Sequence, residues 1–321
     1  MLGVLLALSL IFNIGALLVV AIAAGDEAPR YREVLVDGKE DEQDKIAVIP
    51  IHGVIEDSGD RRGESGHTAA GLHAILKYLD SDAHLKGIVL DVDSPGGGVT
   101  ASDIMYHELK SFRQSRNIPI VALFGDVTAS GGYYISMASN EIVAHPTTVT
   151  GSIGVISHFP NISGLMDKLG VKMDVVKSLN STGHTSMKDI GSPYRPMTPA
   201  ERQVFQDLVT QMWQRFVAVV QDGRKGHIEP DRVAALADGR VFTGADAQKL
   251  GLVDALGYAE DAYARARALA HADHARIVRI EGASRWFDPF GLAKSNMDPV
   301  DTLLSQWSDE SPRVLYLWTG P

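Results

Sequence analysis

The chain has 321 residues, 45% of them hydrophobic and 22% charged, and a formal net charge of −10 at pH 7. That acidic balance, with no basic stretch, excludes nucleic acid as the main partner, because phosphate binding needs a cationic face. The lack of cysteine removes disulfides, thiolate nucleophiles and cysteine-based metal sites, and the length suits one large α/β domain or two small ones.

Residues 2–24 are an uncharged apolar run of roughly the 20 residues a bilayer core requires, which predicts a transmembrane anchor. A cleaved secretory signal is the rival, since Ala21, Ala23 and Ala24 form a small-residue cleavage pattern. Against it, no Lys or Arg precedes the run, which exceeds the usual apolar length of about 7–15 residues. Residues 25–45, polar and acidic, read as a juxtamembrane linker. From Ile46 the pattern becomes globular. Ile46–Ile55, Gly87–Val92 and Ile118–Phe124 read as buried strands, with helices at Ala69–Leu79 and Val99–Phe112 between them. This alternation predicts βαβ units and a mainly parallel sheet. Strand candidates at Glu141–Ala144 and Ser152–Ser157 leave no room for a full helix between them, which favours ββα repeats over strict alternation.

Residues 179–198 form a polar loop, longer than the roughly 12–15 residues beyond which loops are usually functional or disordered. Pro199–Val220 reads as a long helix whose Phe205, Leu208, Met212 and Phe216 recur at three to four residues, for core or subunit packing. Helices at Asp231–Leu236, Ala245–Leu250 and Tyr258–Ala268 and a strand at Ala275–Ile280 complete a domain spanning residues 46–281. Residues 282–321 are a tail whose apolar patch, Val314 to Trp318, must bury against its own domain, a neighbour or the membrane.

The chemistry centres on Thr128-Ala129-Ser130-Gly131-Gly132-Tyr133-Tyr134, a small-residue turn between strand and helix. Ser130 is there either a helix N-cap or a nucleophile near a helix N-terminus, where negative charge is favoured. A nucleophile also needs an oxyanion site and a base. Asp93-Ser94-Pro95-Gly96-Gly97-Gly98 can point backbone N–H groups at an anion, with Gly96 or Gly97 paired to Gly131. The Gly-Lys-Ser/Thr ending and G-x-G-x-x-G spacing of nucleotide sites are absent, and no cofactor or metal is expected. For the base, His158 and Lys188 compete, and a lysine serves only when neutral.

Together with Thr150-Gly151-Ser152-Ile153-Gly154-Val155 and Lys188-Asp189-Ile190-Gly191-Ser192-Pro193, these motifs resemble the signal peptide peptidase A family. The likeness is to its short, single-repeat members, membrane-bound serine proteases of the Clp-protease/crotonase superfamily. Asp238 to Gly244 and Leu250 to Asp254 resemble the superfamily's late helix region. The resemblance implies an α/β fold of ββα repeats with a mainly parallel sheet. It implies Ser130 as nucleophile, Lys188 as general base, Ser152 as the residue that orients the lysine, and Gly97 and Gly131 as the oxyanion hole, with Gly96 the alternative. The segment from Val176 to Lys188 is longer than the family's usual form, which leaves Lys177 a competing base.

The resemblance also implies a homo-oligomer with sites shared between subunits, and hydrophobic peptides such as cleaved signal peptides as substrates. A single-pass location in a bacterial-type inner membrane, with the catalytic domain outside the cytoplasm, is expected. A crotonase-like acyl-CoA hydratase or isomerase and a non-catalytic membrane scaffold are the rival readings.

Overall fold

The computed structural model describes Gly3 and residues 31–57, 66–179, 181, 186–282 and 314–317. Apart from Gly3, the expected membrane span at residues 2–24 lies outside them, as does Trp318. Among the described residues no helix is long and apolar enough to cross a membrane.

The central strands are largely apolar because both faces of the sheet are covered there. Strands β1 (Tyr31–Asp37), β2 (Lys45–His52), β3 (Leu85–Ser94), β4 (Gly96–Gly98) and β5 (Ile120–Ala129) are followed by β6 (Glu141–Ala144), β7 (Val149–Gly151) and β8 (Ile156–Ser157). Later come β9 (Val241–Thr243), β10 (Ala255–Leu256), β11 (Arg276–Gly282) and β12 (Val314–Leu317). The main sheet has the order β1-β11-β2-β3-β5-β6-β10, with β7 beside β5 and β9. Strands β11, β2, β3, β5, β6 and β10 run parallel.

Side chains alternate between the faces, as the strand period requires. Ile49, Ile51, Ile88, Leu90, Ala122 and Phe124 point into the larger core, with helices α1 (Ala69–Asp80), α2 (Val99–Arg116), α3 (Gly131–Ser136) and, beyond α4 (Ser163–Leu169), α5 (Pro199–Gly223). Ile46, Val48, Val89, Val121 and Leu123 face the other way. After α6 (Pro230–Leu236) and α7 (Gly244–Lys249), α8 (Ala259–Leu269) covers that side with Ala262, Tyr263 and Ala266. Helix α1 starts at Thr68, whose Oγ1 accepts from Gly71 N at 3.0 Å, and buries Leu72, Ile75, Leu76 and Leu79 at helical spacing.

Several expectations change. The linker expected over 25–45 contains β1, antiparallel to β11 along Tyr31–Asp37. Helix α4 is absent from the sequence reading because none of its residues is buried, so no apolar stripe marks it. Of the strand expected at 152–157 only β8, Ile156–Ser157, forms: β7 ends just before it at Gly151, and Ser152 takes φ 49°, which breaks the extended run. The strand expected to end at Phe124 continues to Ala129, since Thr128 pairs with Ser94 and with Thr150 and donates through Oγ1 to Val92 O at 2.5 Å. Of the long helix, only the C-terminal half enters the core, through Phe216, Val219 and Val220; Leu208 is exposed. Strand β12 pairs antiparallel with both β4 and β8 in a separate three-stranded sheet.

Candidate active site

Two turns far apart in sequence meet at the C-terminal ends of β3 and β5. In the first, β4 is pinned by Ile55: Ile55 N donates to Gly96 O (2.8 Å) and Gly98 N to Ile55 O (2.9 Å). A Cβ on Gly97 would lie 2.0 Å from Ile55 O, so only glycine fits. Gly96 N donates to Ser94 Oγ at 3.1 Å, which commits that amide locally.

The second turn carries Ser130, only 1% exposed, as the N-cap of α3 with φ 53° and ψ −115°. Such a conformation costs a non-glycine residue about 1–3 kcal/mol and persists only when its surroundings impose it. The surroundings are explicit: Ser130 N donates to Gly151 O at 2.9 Å, and Tyr134 N donates to Ser130 O at 2.8 Å. A strained strand-to-helix turn of this kind is how α/β hydrolases present a serine hydroxyl. A Cβ on Gly131 would lie 3.1 Å from Gly97 N and 2.6 Å from Ser102 Oγ, so bare backbone alone allows the approach. Ser152 follows β7 directly, is 8% exposed, and donates through its backbone N to Arg240 O at 2.8 Å. The structure thus brings together Ser130, Ser152, Gly97 and Gly131.

The base candidates are exposed or paired with other residues. Lys188 is exposed, on the turn Lys188–Gly191, and among the described residues no hydrogen bond joins it to Ser130. His158 is exposed beyond β8, lining a cavity of about 490 Å³ with Phe159, Arg195, Arg202 and Phe205. Lys177 is committed to an ion pair with Asp189 Oδ1 at 2.8 Å and serves as an anchor for the loop.

Sequence reasoning missed the polar network around that anchor. Arg195 donates through Nε to Asp189 Oδ2 (2.8 Å) and through Nη1 to Glu201 Oε2 (2.8 Å). Bonding to Arg195, then Lys177, holds the Asp189 carboxyl well below the usual carboxylate range. Arg195 and the Thr198 amide lower Glu201 to about 2. Thr198 and Glu201 form a capping box at the start of α5, and the link from Glu201 through Arg195 to Asp189 leaves no local pattern in the sequence. Ile55, the residue that fixes Gly97, carries no signal beyond apolarity. Among the described residues no cluster of His, Asp and Glu could hold a metal ion.

A hydroxyl on an imposed turn, backed by a glycine strand across the ends of parallel strands, defines an α/β serine hydrolase. The chain belongs to peptidase family S49, whose model matches residues 112–273, and it is a serine-type peptidase. The candidate signal peptide peptidase SppA of Enterococcus faecium is 34% identical over 289 residues, covering 86% of this chain and 81% of its own. Protease 4 of Haemophilus influenzae is 31% identical, covering 86% of this chain and 42% of its own. Among solved structures, a mutant of the 1510-N membrane-bound stomatin-specific protease with a substrate peptide matches at 14% identity and TM-score 0.46, covering 83% of this chain and 99% of its own.

Proposed function

We propose that this peptidase cuts extended hydrophobic peptides, remnant signal peptides among them, with Ser130 as nucleophile and Lys188 of a neighbouring copy as base. The observation that carries peptide binding is β12: an extended segment pairs antiparallel with Gly96–Gly98 on one side and Ile156–Ser157 on the other. A substrate strand added at that edge gains main-chain hydrogen bonds with little sequence demand. The Ser130 hydroxyl attacks the scissile carbonyl as neutral Lys188 takes its proton, and the Gly97 and Gly131 amides hold the oxyanion. Ser152 orients the lysine amine; as the tetrahedral intermediate collapses the scissile C–N bond breaks and protonated Lys188 gives its proton to the leaving amine, and water, deprotonated by the again neutral lysine, then hydrolyses the acyl-enzyme and frees Ser130. Gly97 is preferred to Gly96 because the Gly96 amide already donates to Ser94.

Sharing of the site between copies is supported by the contrast between an exposed Lys188 and a buried Ser130, which no hydrogen bond joins among the described residues. A second support is the exposed apolar arm of Leu169, Val171, Met173, Val175 and Val176, the last 99% exposed, which a second copy would cover. Residues 2–24 are the proposed membrane anchor, with the domain outside the cytoplasm.

A serine-directed fluorophosphonate is expected to label Ser130, and to fail in Ser130→Ala and in Lys188→Ala. Mixing those two variants is expected to restore labelling at the Ser130 of the Lys188→Ala subunits. Labelling that survives Lys188→Ala would sink the dyad, and mixtures that stay inert would place both groups in one chain. Strand addition has its own check. Leu315 pairs with both Gly98 and Ile156, and Leu315→Pro removes a ladder donor. With the tail acting as a tethered competitor at an effective concentration of about 1 mM, Leu315→Pro is expected to lower KM for a short apolar peptide roughly tenfold. An unchanged KM would mean that substrate does not use this edge.

A further inference from the structure

We propose that Arg195 is a positioning residue, which clamps Asp189 to Glu201 and so sets the turn that presents Lys188. This rests on the reading of Lys188 as the base. Among the described residues no hydrogen bond or ion pair holds the Lys188 side chain, and its backbone N donates only to Ser186 Oγ at 3.2 Å. The turn is closed by Ile190 N to Met187 O (2.9 Å) and Ser192 N to Asp189 O (3.0 Å). Its place relative to the domain comes from neighbouring residues: Gly191 lies against Phe159 and Phe205, Pro193 O accepts from Ile162 N at 2.8 Å, and Asp189, the residue next to Lys188, is fastened through its side chain.

Lys177 holds one oxygen of Asp189, and Arg195 Nε holds the other at 2.8 Å. The far edge of the guanidinium meets both oxygens of Glu201, which is 4% exposed in the first turn of α5. Glu201 Oε2 also accepts from Thr198 N at 2.9 Å. Helix α5 is rooted in the core by Phe216, Val219 and Val220, so the order runs from core to helix start, to Glu201, to Arg195, to Asp189, to the adjacent Lys188. A planar guanidinium can face two carboxylates at once with fixed geometry, which an ammonium cannot.

The helix is capped by Thr198 independently of Asp189, so α5 does not need the Arg195–Asp189 link to start. What the Arg195–Asp189 link determines is therefore the location of the turn. Misplacing a catalytic group by about 1 Å is enough to cost about 100-fold in rate.

The test uses the full-length oligomer, with peptide turnover and fluorophosphonate acylation of Ser130 as readouts. Arg195→Ala and the isosteric Asp189→Asn are expected to lower kcat and acylation about 10- to 100-fold with KM nearly unchanged. Ethylguanidinium, which can fill the gap between two intact carboxylates, is expected to restore part of the rate to Arg195→Ala. Arg195→Lys is expected to recover less than the native rate. Parent-like rates in both variants, with acylation lost in Lys188→Ala, overturn the positioning role. Losses that track disassembly of the oligomer and resist ethylguanidinium overturn it too, by making Arg195 structural. Normal acylation in Lys188→Ala would show that the base reading has failed first.

Discussion

Ser130→Ala is expected to lower kcat by roughly 10⁴- to 10⁶-fold, the range that removal of a serine nucleophile produces in other hydrolases. KM should change little, since Ser130 is 1% exposed beneath the strand edge and contributes chemistry rather than contact area. Ser130→Gly should be equally inactive and more stable. The native turn holds a side chain at φ 53° and ψ −115°, a cost of about 1–3 kcal/mol that glycine escapes. Glycine's extra unfolded-state entropy takes back about 0.5–1 kcal/mol. The net gain is about 1 kcal/mol, readable as a higher urea midpoint at constant slope. A Ser130→Gly variant less stable than Ser130→Ala would show that no strain is stored at the turn.

Arg224→Ala is expected to destabilise the domain by about 3–5 kcal/mol, because it strips a buried carboxylate of its partner. Arg224 caps the C-terminus of α5 with its side chain 2% exposed. It donates to both oxygens of Asp254 (2.9 and 2.8 Å) and to Gly251 O (2.9 Å). Asp254 also accepts from Ile142 N at 2.7 Å, so one pair joins α5, the 251–254 turn and the β6 edge. Replacing both partners by apolar residues should cost far less than removing one.

The pair sets an acid limit. Burial raises the Asp254 pKa, but bonding to Arg224 and to the Ile142 amide outweighs it, and the net direction is downward. A carboxyl with a depressed folded pKa contributes its full stability above the unfolded value of about 3.9 and loses it as pH falls through the folded value. Asp254→Asn should accordingly flatten the loss of stability below about pH 4. Urea midpoints at neutral and acid pH check both claims. A cost under about 1 kcal/mol for Arg224→Ala would mean that the pair is not a strut.

The helices and central strands were legible because their signals are local. Leu72, Ile75, Leu76 and Leu79 mark α1 by spacing alone, and the apolar runs of β2, β3 and β5 mark strands buried on both faces. Helix α4 was illegible for the converse reason: with no buried residue it has no stripe to read. Strand β1 lies in a segment as polar as a linker, and only its ladder with β11 makes it a strand.

The site divides in the same way. Residue chemistry was enough to nominate Ser130 and a glycine-rich turn, since nucleophiles and anion-binding amides need particular residue types on strand-to-helix turns. Which glycine amide is committed was undecidable from letters, because it depends on the reach of the Ser94 hydroxyl to Gly96 N. Composition and periodicity likewise predicted a mainly parallel α/β sheet and an apolar tail needing cover. They could not say that the tail pairs with Gly96–Gly98, that Gly131 packs on Gly97, or that Asp189 is fastened through Arg195 to a helix start. Those contacts join residues far apart along the chain, and sequence patterns record only near neighbours. Distance in space was decided by packing, once the parallel strands had brought the ends of β3 and β5 side by side.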